Sequence, residues 1–127
     1  MHPDAEVRLP AETSYVAVLR MATAGIAARL DFTLDDIEDL KMAVSEACSL
    51  VLVDATPGGS LLVRYYLAED RISVEVSADV AAPVVPSPDS FTWQVLSATA
   101  SDVTATTTDD RLVIGLSVGS NTTSAPA

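Results

Sequence analysis

Residues 30–52 read LDFTLDDIEDLKMAVSEACSLVL, and the period of this stretch decides what the rest of the chain can build. Leu34, Ile37, Leu40, Val44, Ala47, Cys48, Val51 and Leu52 recur at helical spacing, which predicts one long amphipathic helix running to about Val53. Thr33-Leu34-Asp35-Asp36 has the form of a capping box at its start. Asp35, Asp36, Glu38 and Asp39 crowd the first turns, where the helix dipole favours negative charge, and they read as a solvated helix entry. Thr56-Pro57-Gly58-Gly59 stops the helix and turns the chain.

Upstream, Val16, Leu19, Thr23, Ile26, Ala27 and Leu30 fall at helical spacing, predicting a helix over 12–30. Residues 5–9 alternate and predict a short strand, broken at Pro10. Downstream, residues 60–67 (SLLVRYYL) are rich in strand formers, and Ala68-Glu69-Asp70 suits a hairpin turn. Ile72, Val74 and Val76 alternate with Ser73, Glu75 and Ser77, the mark of a half-buried strand. Pro83, Pro86 and Pro88 place 80–90 in a loop. Residues 91–100 suit a short helix, and 102–107 with 111–118 a second hairpin turning at Asp109-Asp110. Three helices and a largely antiparallel sheet imply an α+β fold, a two-layer α/β sandwich with one sheet face covered by helices. The expected organisation is one domain over 1–119 and a disordered polar tail over 120–127.

The chain has 127 residues, one domain's worth, and 49% of them are hydrophobic, enough for a core without a staple. Cys48 is its single cysteine, so no intramolecular disulfide forms. The acidic N-terminal stretch does not read as a signal peptide, and no run approaches the roughly 18 apolar residues of a membrane span. A reducing, cytoplasmic setting without membrane contact is therefore expected. The net charge of −11, from 18 acidic and 7 basic residues, repels phosphate backbones and argues against nucleic-acid binding. It suits a partner with a basic surface.

Several chemistries lack their parts. His2 is the one histidine and sits near an end, so a Ser-His-Asp or Cys-His arrangement is not expected. One His and one Cys far apart do not make a zinc site, and no metal site is expected. Neither GxxxxGK[ST] nor GxGxxG occurs. Among the many carboxylates Glu46 stands apart, deep in the long helix and one turn from Leu50 on the same face. It is either a partly exposed helix residue or a site carboxylate at the helix–sheet boundary.

Residues 30–52, with YVAVLRMATAGIAARL before them and RLPAETSYV at the entry, resemble the anti-sigma-factor serine kinases of the RsbW and SpoIIAB type. These belong to the GHKL superfamily, with its Bergerat-like, histidine-kinase-like ATPase fold. FTWQVLSATASDV is similar to the divergent actinobacterial (mycobacterial) RsbW/UsfX branch. The resemblance implies that Glu46 matches the family's general base, which takes the proton from the substrate serine. Four residues on, the family's Asn holds Mg²⁺ against the phosphates. Here Leu50 stands in its place, and an isobutyl group cannot ligate a hard cation. The family's DxGxG motif, whose Asp recognises adenine, is matched only by Asp79, followed by Val80, Ala81 and Ala82 without a glycine. Val and Ala side chains are expected to fill the space of the purine. Its glycine-rich lid corresponds to 84–91, VVPSPDSF, which has no glycine.

The resemblance therefore implies an anti-sigma factor that sequesters an alternative stress or developmental sigma factor. A STAS-domain anti-anti-sigma partner would control it, and its nucleotide site is degenerate. No cofactor is expected, ATP with Mg²⁺ being the candidate the family offers. The alternatives are an active serine kinase acting on the STAS partner, with Glu46 as base, and a non-enzymatic dimeric scaffold. The family's partner-contacting Arg matches Arg20 on the first helix, with Val16 and Leu19 beside it and Met21 serving core or interface. A homodimer is also implied. Trp93 is expected in the core.

Overall fold

A computed structural model describes residues 2–120. The elements run β1 (Ala5–Pro10), α1 (Val16–Ala27), α2 (Leu34–Leu52), β2 (Ser60–Leu67), β3 (Arg71–Asp79), α3 (Phe91–Thr99), β4 (Ser101–Thr108) and β5 (Arg111–Gly119), with a 3-10 turn at Thr13–Tyr15. The strands form one antiparallel sheet in the order β1-β2-β3-β5-β4. The three helices cover one of its faces, giving the α+β two-layer sandwich that the element order requires.

Helix α2 forms the centre of the helical layer. Thr33 caps it: its Oγ1 accepts from the Asp36 N–H at 3.1 Å, and Asp36 Oδ2 accepts from the Thr33 N–H at 2.9 Å. The box thus works with the shorter Asp in place of Glu or Gln. Leu40, Ala43, Val44, Ala47, Cys48 and Val51 are fully buried on the face toward the sheet. They meet Leu61, Val63 and Tyr65 of β2, Ile72, Val74 and Val76 of β3, and Ile114 of β5, the inward half of a period-2 alternation. α2 stops before a turn in which Gly58 has φ +80. A Cβ on Gly59 would lie 3.0 Å from the Thr56 carbonyl oxygen, so two glycines serve two different needs.

The first helix is shorter than the period suggests. The chain enters through the 3-10 turn, and the end of α1 tightens into i→i+3 bonds, Arg29 N–H to Ile26 O and Leu30 N–H to Ala27 O. Trp93 is half-buried against the core. Ser120, assigned above to the polar tail, is a correction: it is buried, its N–H donates to Asp70 O at 2.7 Å and its Oγ to Asp31 O at 2.6 Å. Those bonds hold the residue after the last strand between the turns at Asp70 and Asp31. Residues 121–127, the rest of that tail, lie outside the described residues.

Candidate functional site

Two of the hollows beside α2 separate Glu46 from Leu50, which the resemblance places in a single site. The first is a cleft of about 300 Å³ where the end of α2 meets the 80–90 segment, with Leu50, Asp54, Val80, Ala82, Val84 and Leu112 in its lining. The segment is tied down there. The Val80 N–H donates to Asp110 O at 2.8 Å, the Ala81 N–H donates to Asp54 O at 3.0 Å, and Val80 bridges Ala55. Val80 is 3% exposed and forms one wall of the cleft.

This lining does not fit Mg-ATP. It contains one carboxylate, Asp54, and no Lys or Arg. Residue 50 offers no oxygen to a hard cation, and nothing cationic neutralises a triphosphate. Among the described residues no group of three or more His, Cys, Asp or Glu is placed to hold a metal.

Asp79 is not part of the cleft, which corrects the expectation of a base-recognising carboxylate. Successive side chains of β3 alternate faces, so Ala78 and Val80 point toward the helices and Asp79 points to the opposite face. A one-residue offset in a strand exchanges the two faces. The carboxylate is occupied there: Arg111 Nη1 donates to Oδ1 at 2.6 Å, and the Ser60 N–H donates to Oδ2 at 3.3 Å. Arg111 Nη2 also donates to Ser77 Oγ at 2.9 Å. Asp79 thus ties β2, β3 and β5 together.

The second hollow is an open groove of about 590 Å³ between α1 and α2. Arg20 and Met21 line it from α1, and Glu38, Lys41, Met42, Ser45 and Glu46 from α2. Met21 is 77% exposed and Met42 51%. Lys41 Nζ pairs with Glu38 Oε1 at 3.2 Å. Among the described residues Arg20 and Glu46 have no ion pair or hydrogen-bond partner. Ser45 Oγ is buried and unbonded. Glu46 therefore lines the groove with Arg20 and is absent from the lining of the Leu50 cleft.

The residues proposed to meet a partner separate as well. Arg20 is exposed, whereas Leu19 is 0% exposed and belongs to the core, so it is corrected from contact to packing residue. Val16 is half-buried against that core. Met42 and Ser45 went unnoticed in the sequence, although a signal existed: Glu38, Met42 and Glu46 are spaced i, i+4, i+8 and share a helix face. Cys48, two residues from Glu46, faces the core instead, where burial pushes its thiol up to about 12.

A family model for the histidine kinase-like ATPase domain matches residues 9–110. The serine-protein kinase RsbW of Bacillus velezensis is 44% identical over 75 residues, which cover 57% of this chain and 47% of that protein. Its counterpart in Bacillus subtilis is 40% identical over 75 residues, with the same two shares. The chain spans about half the length of the curated relatives it matches. The solved structure of the RsbU and RsbW domains of Rv1364c from Mycobacterium tuberculosis superposes with a TM-score of 0.69 at 17% identity, covering 91% of this chain and 32% of that one. At that identity the match concerns the fold.

Proposed function

The chain belongs to the histidine kinase-like ATPase domain family, and from that premise we propose that it is an anti-sigma factor working by protein binding without nucleotide. It sequesters an alternative sigma factor in the cytoplasm and releases it to a STAS-domain anti-anti-sigma protein. The similarity to proteins named RsbW supports the class. The observation that carries the reading is the outward face of α1. It presents an unpaired Arg20 beside an exposed Met21, a charged fork and a soft apolar anchor of the kind that dominates interfaces. The lining of the Leu50 cleft, without Lys or Arg and with no oxygen at residue 50, supports a switch that works by competition for this face. A homodimer is part of the same proposal.

The test is titration of each purified alternative sigma factor of the source genome, and each STAS protein, against the full chain without nucleotide. Binding tighter than micromolar is expected for at least one of them. Arg20→Ala should weaken it by about tenfold or more, as expected for an interface arginine. Absence of any such complex ends the reading.

A second reading, an active serine kinase, is favoured by Glu46 and by the name of the relatives. It requires phosphoserine on the STAS protein after incubation with Mg-ATP, lost in Glu46→Ala. The expected result is no phosphoserine and no heat on titrating Mg-ATP. Leu50→Asn alone should not restore either, because Val80 and the cation-free lining remain.

A further inference from the structure

We infer that Glu46 is a specificity residue of the partner groove: with Arg20 it makes a two-sign recognition site for an amphipathic helical segment of the sigma factor. This rests on the anti-sigma reading and assigns Glu46 a different task from proton transfer.

The groove has a defined length and polarity. Glu38 to Glu46 covers eight residues of α2, about 12 Å at 1.5 Å per residue. That accommodates about two turns of a helix laid along it, read through side chains at i, i+3 or i+4 and i+7. α1 ends at Ala27 and α2 begins at Leu34, so the short stretch 28–33 gives the groove a joined end and an open end. Ala24 and the Glu38–Lys41 pair therefore lie at the joined end, Arg20 and Met42 in the middle, and Ala17, Ser45 and Glu46 at the open end. The joined end is neutralised by its own ion pair. The other two charges, Arg20 and Glu46, are opposite in sign and have no ion-pair partner among the described residues.

A segment matching this groove carries a carboxylate opposite Arg20 and a Lys or Arg about one turn along, opposite Glu46. An apolar side chain between them rests on Met21 and Met42, whose flexible thioethers adapt to its shape. The Ser45 hydroxyl, buried without a bond at the same end, gains a partner from the incoming polar group. Neither charge alone gives this selectivity. A uniformly basic helix is repelled by Arg20, and a uniformly acidic one by Glu46 and by the net charge of −11.

The experiment measures affinity of the full chain for the sigma factor that it binds, in nucleotide-free buffer with EDTA. Glu46→Gln is expected to weaken the complex about tenfold and Glu46→Lys to abolish it. Reversing a single basic residue on the sigma factor to Glu should rescue Glu46→Lys. Asp39→Asn, which removes one negative charge from α2 outside the groove, should change affinity less than about twofold. Equal effects of Glu46→Gln and Asp39→Asn would overturn the inference while leaving the anti-sigma reading intact. So would an effect of Glu46→Gln that appears only with Mg-ATP. If wild type binds no sigma factor, both fall together.

Discussion

At the scale of single residues, three positions show that a side chain's use depends on its direction as much as its identity. Thr23 of α1 and Tyr65 of β2 are fully buried polar residues whose hydroxyls share a bond of 2.7 Å. Tyr65→Phe leaves the Thr23 hydroxyl unpaired in the core and should cost about 1–3 kcal/mol in urea denaturation. Thr23→Val with Tyr65→Phe should cost less than the sum of the two single changes, which a double-mutant cycle measures. Cys48 is the opposite case, a buried group with no polar task. Its thiol, moved from the ordinary 9.0 to about 12, stays protonated at pH 8 and should resist a disulfide reagent until the chain unfolds. Because the unfolded chain deprotonates first, this group should lower stability as pH rises from 9 toward 12 and have no effect below 9. Rapid labelling of the folded chain at pH 8 would contradict the burial.

At the scale of elements, α2 was the most legible part of the sequence and proved the organiser of the fold. Its period, cap and stop were all present in residues 33–59, since each depends on neighbours in the chain. Thr33→Ala removes the cap and should destabilise the domain by about 1 kcal/mol, seen as a lower thermal midpoint with unchanged partner affinity. The second hairpin carries a constraint that no local pattern displays. A Cβ on Gly115 would lie 2.7 Å from Thr104 Oγ1 on the edge strand β4. Gly115→Ala should therefore loosen β4, detected as faster amide exchange in 101–108, while β2 and β3 keep their protection. Loss of protection throughout the sheet would show instead that β4 is integral to the cooperative unit.

At the scale of the whole molecule, charge is divided between the two faces. Arg8, Arg64, Arg71 and Arg111 lie on or beside the uncovered sheet face with Glu6, Glu75, Asp79 and Asp102, which balance them. That leaves three basic and fourteen acidic residues, and so the entire net charge of −11, to the helices, loops and termini. A partner approaching the α1–α2 groove meets the anionic side. Its association rate should fall roughly tenfold between low and physiological salt if its docking surface is basic overall. A rate indifferent to salt would assign recognition to the apolar anchors alone.

The element order, the capping box, the inward half of β3 and the lack of glycine in 84–91 were legible from residue order alone. Each is set by local periodicity or by the presence of a residue type. The family resemblance and Arg20 came from the same source. Packing in three dimensions, by contrast, fixes where side chains separated in sequence come together. Leu19 turned out to be core beside an exposed Arg20, because a helix turns by about 100° between neighbours. Asp79 turned out to be a strand tie, because one residue in a strand exchanges the faces of a sheet. Glu46 lines the groove opposite Arg20, apart from the Leu50 cleft, because the packing of α1 on α2 creates a surface that neither helix possesses alone.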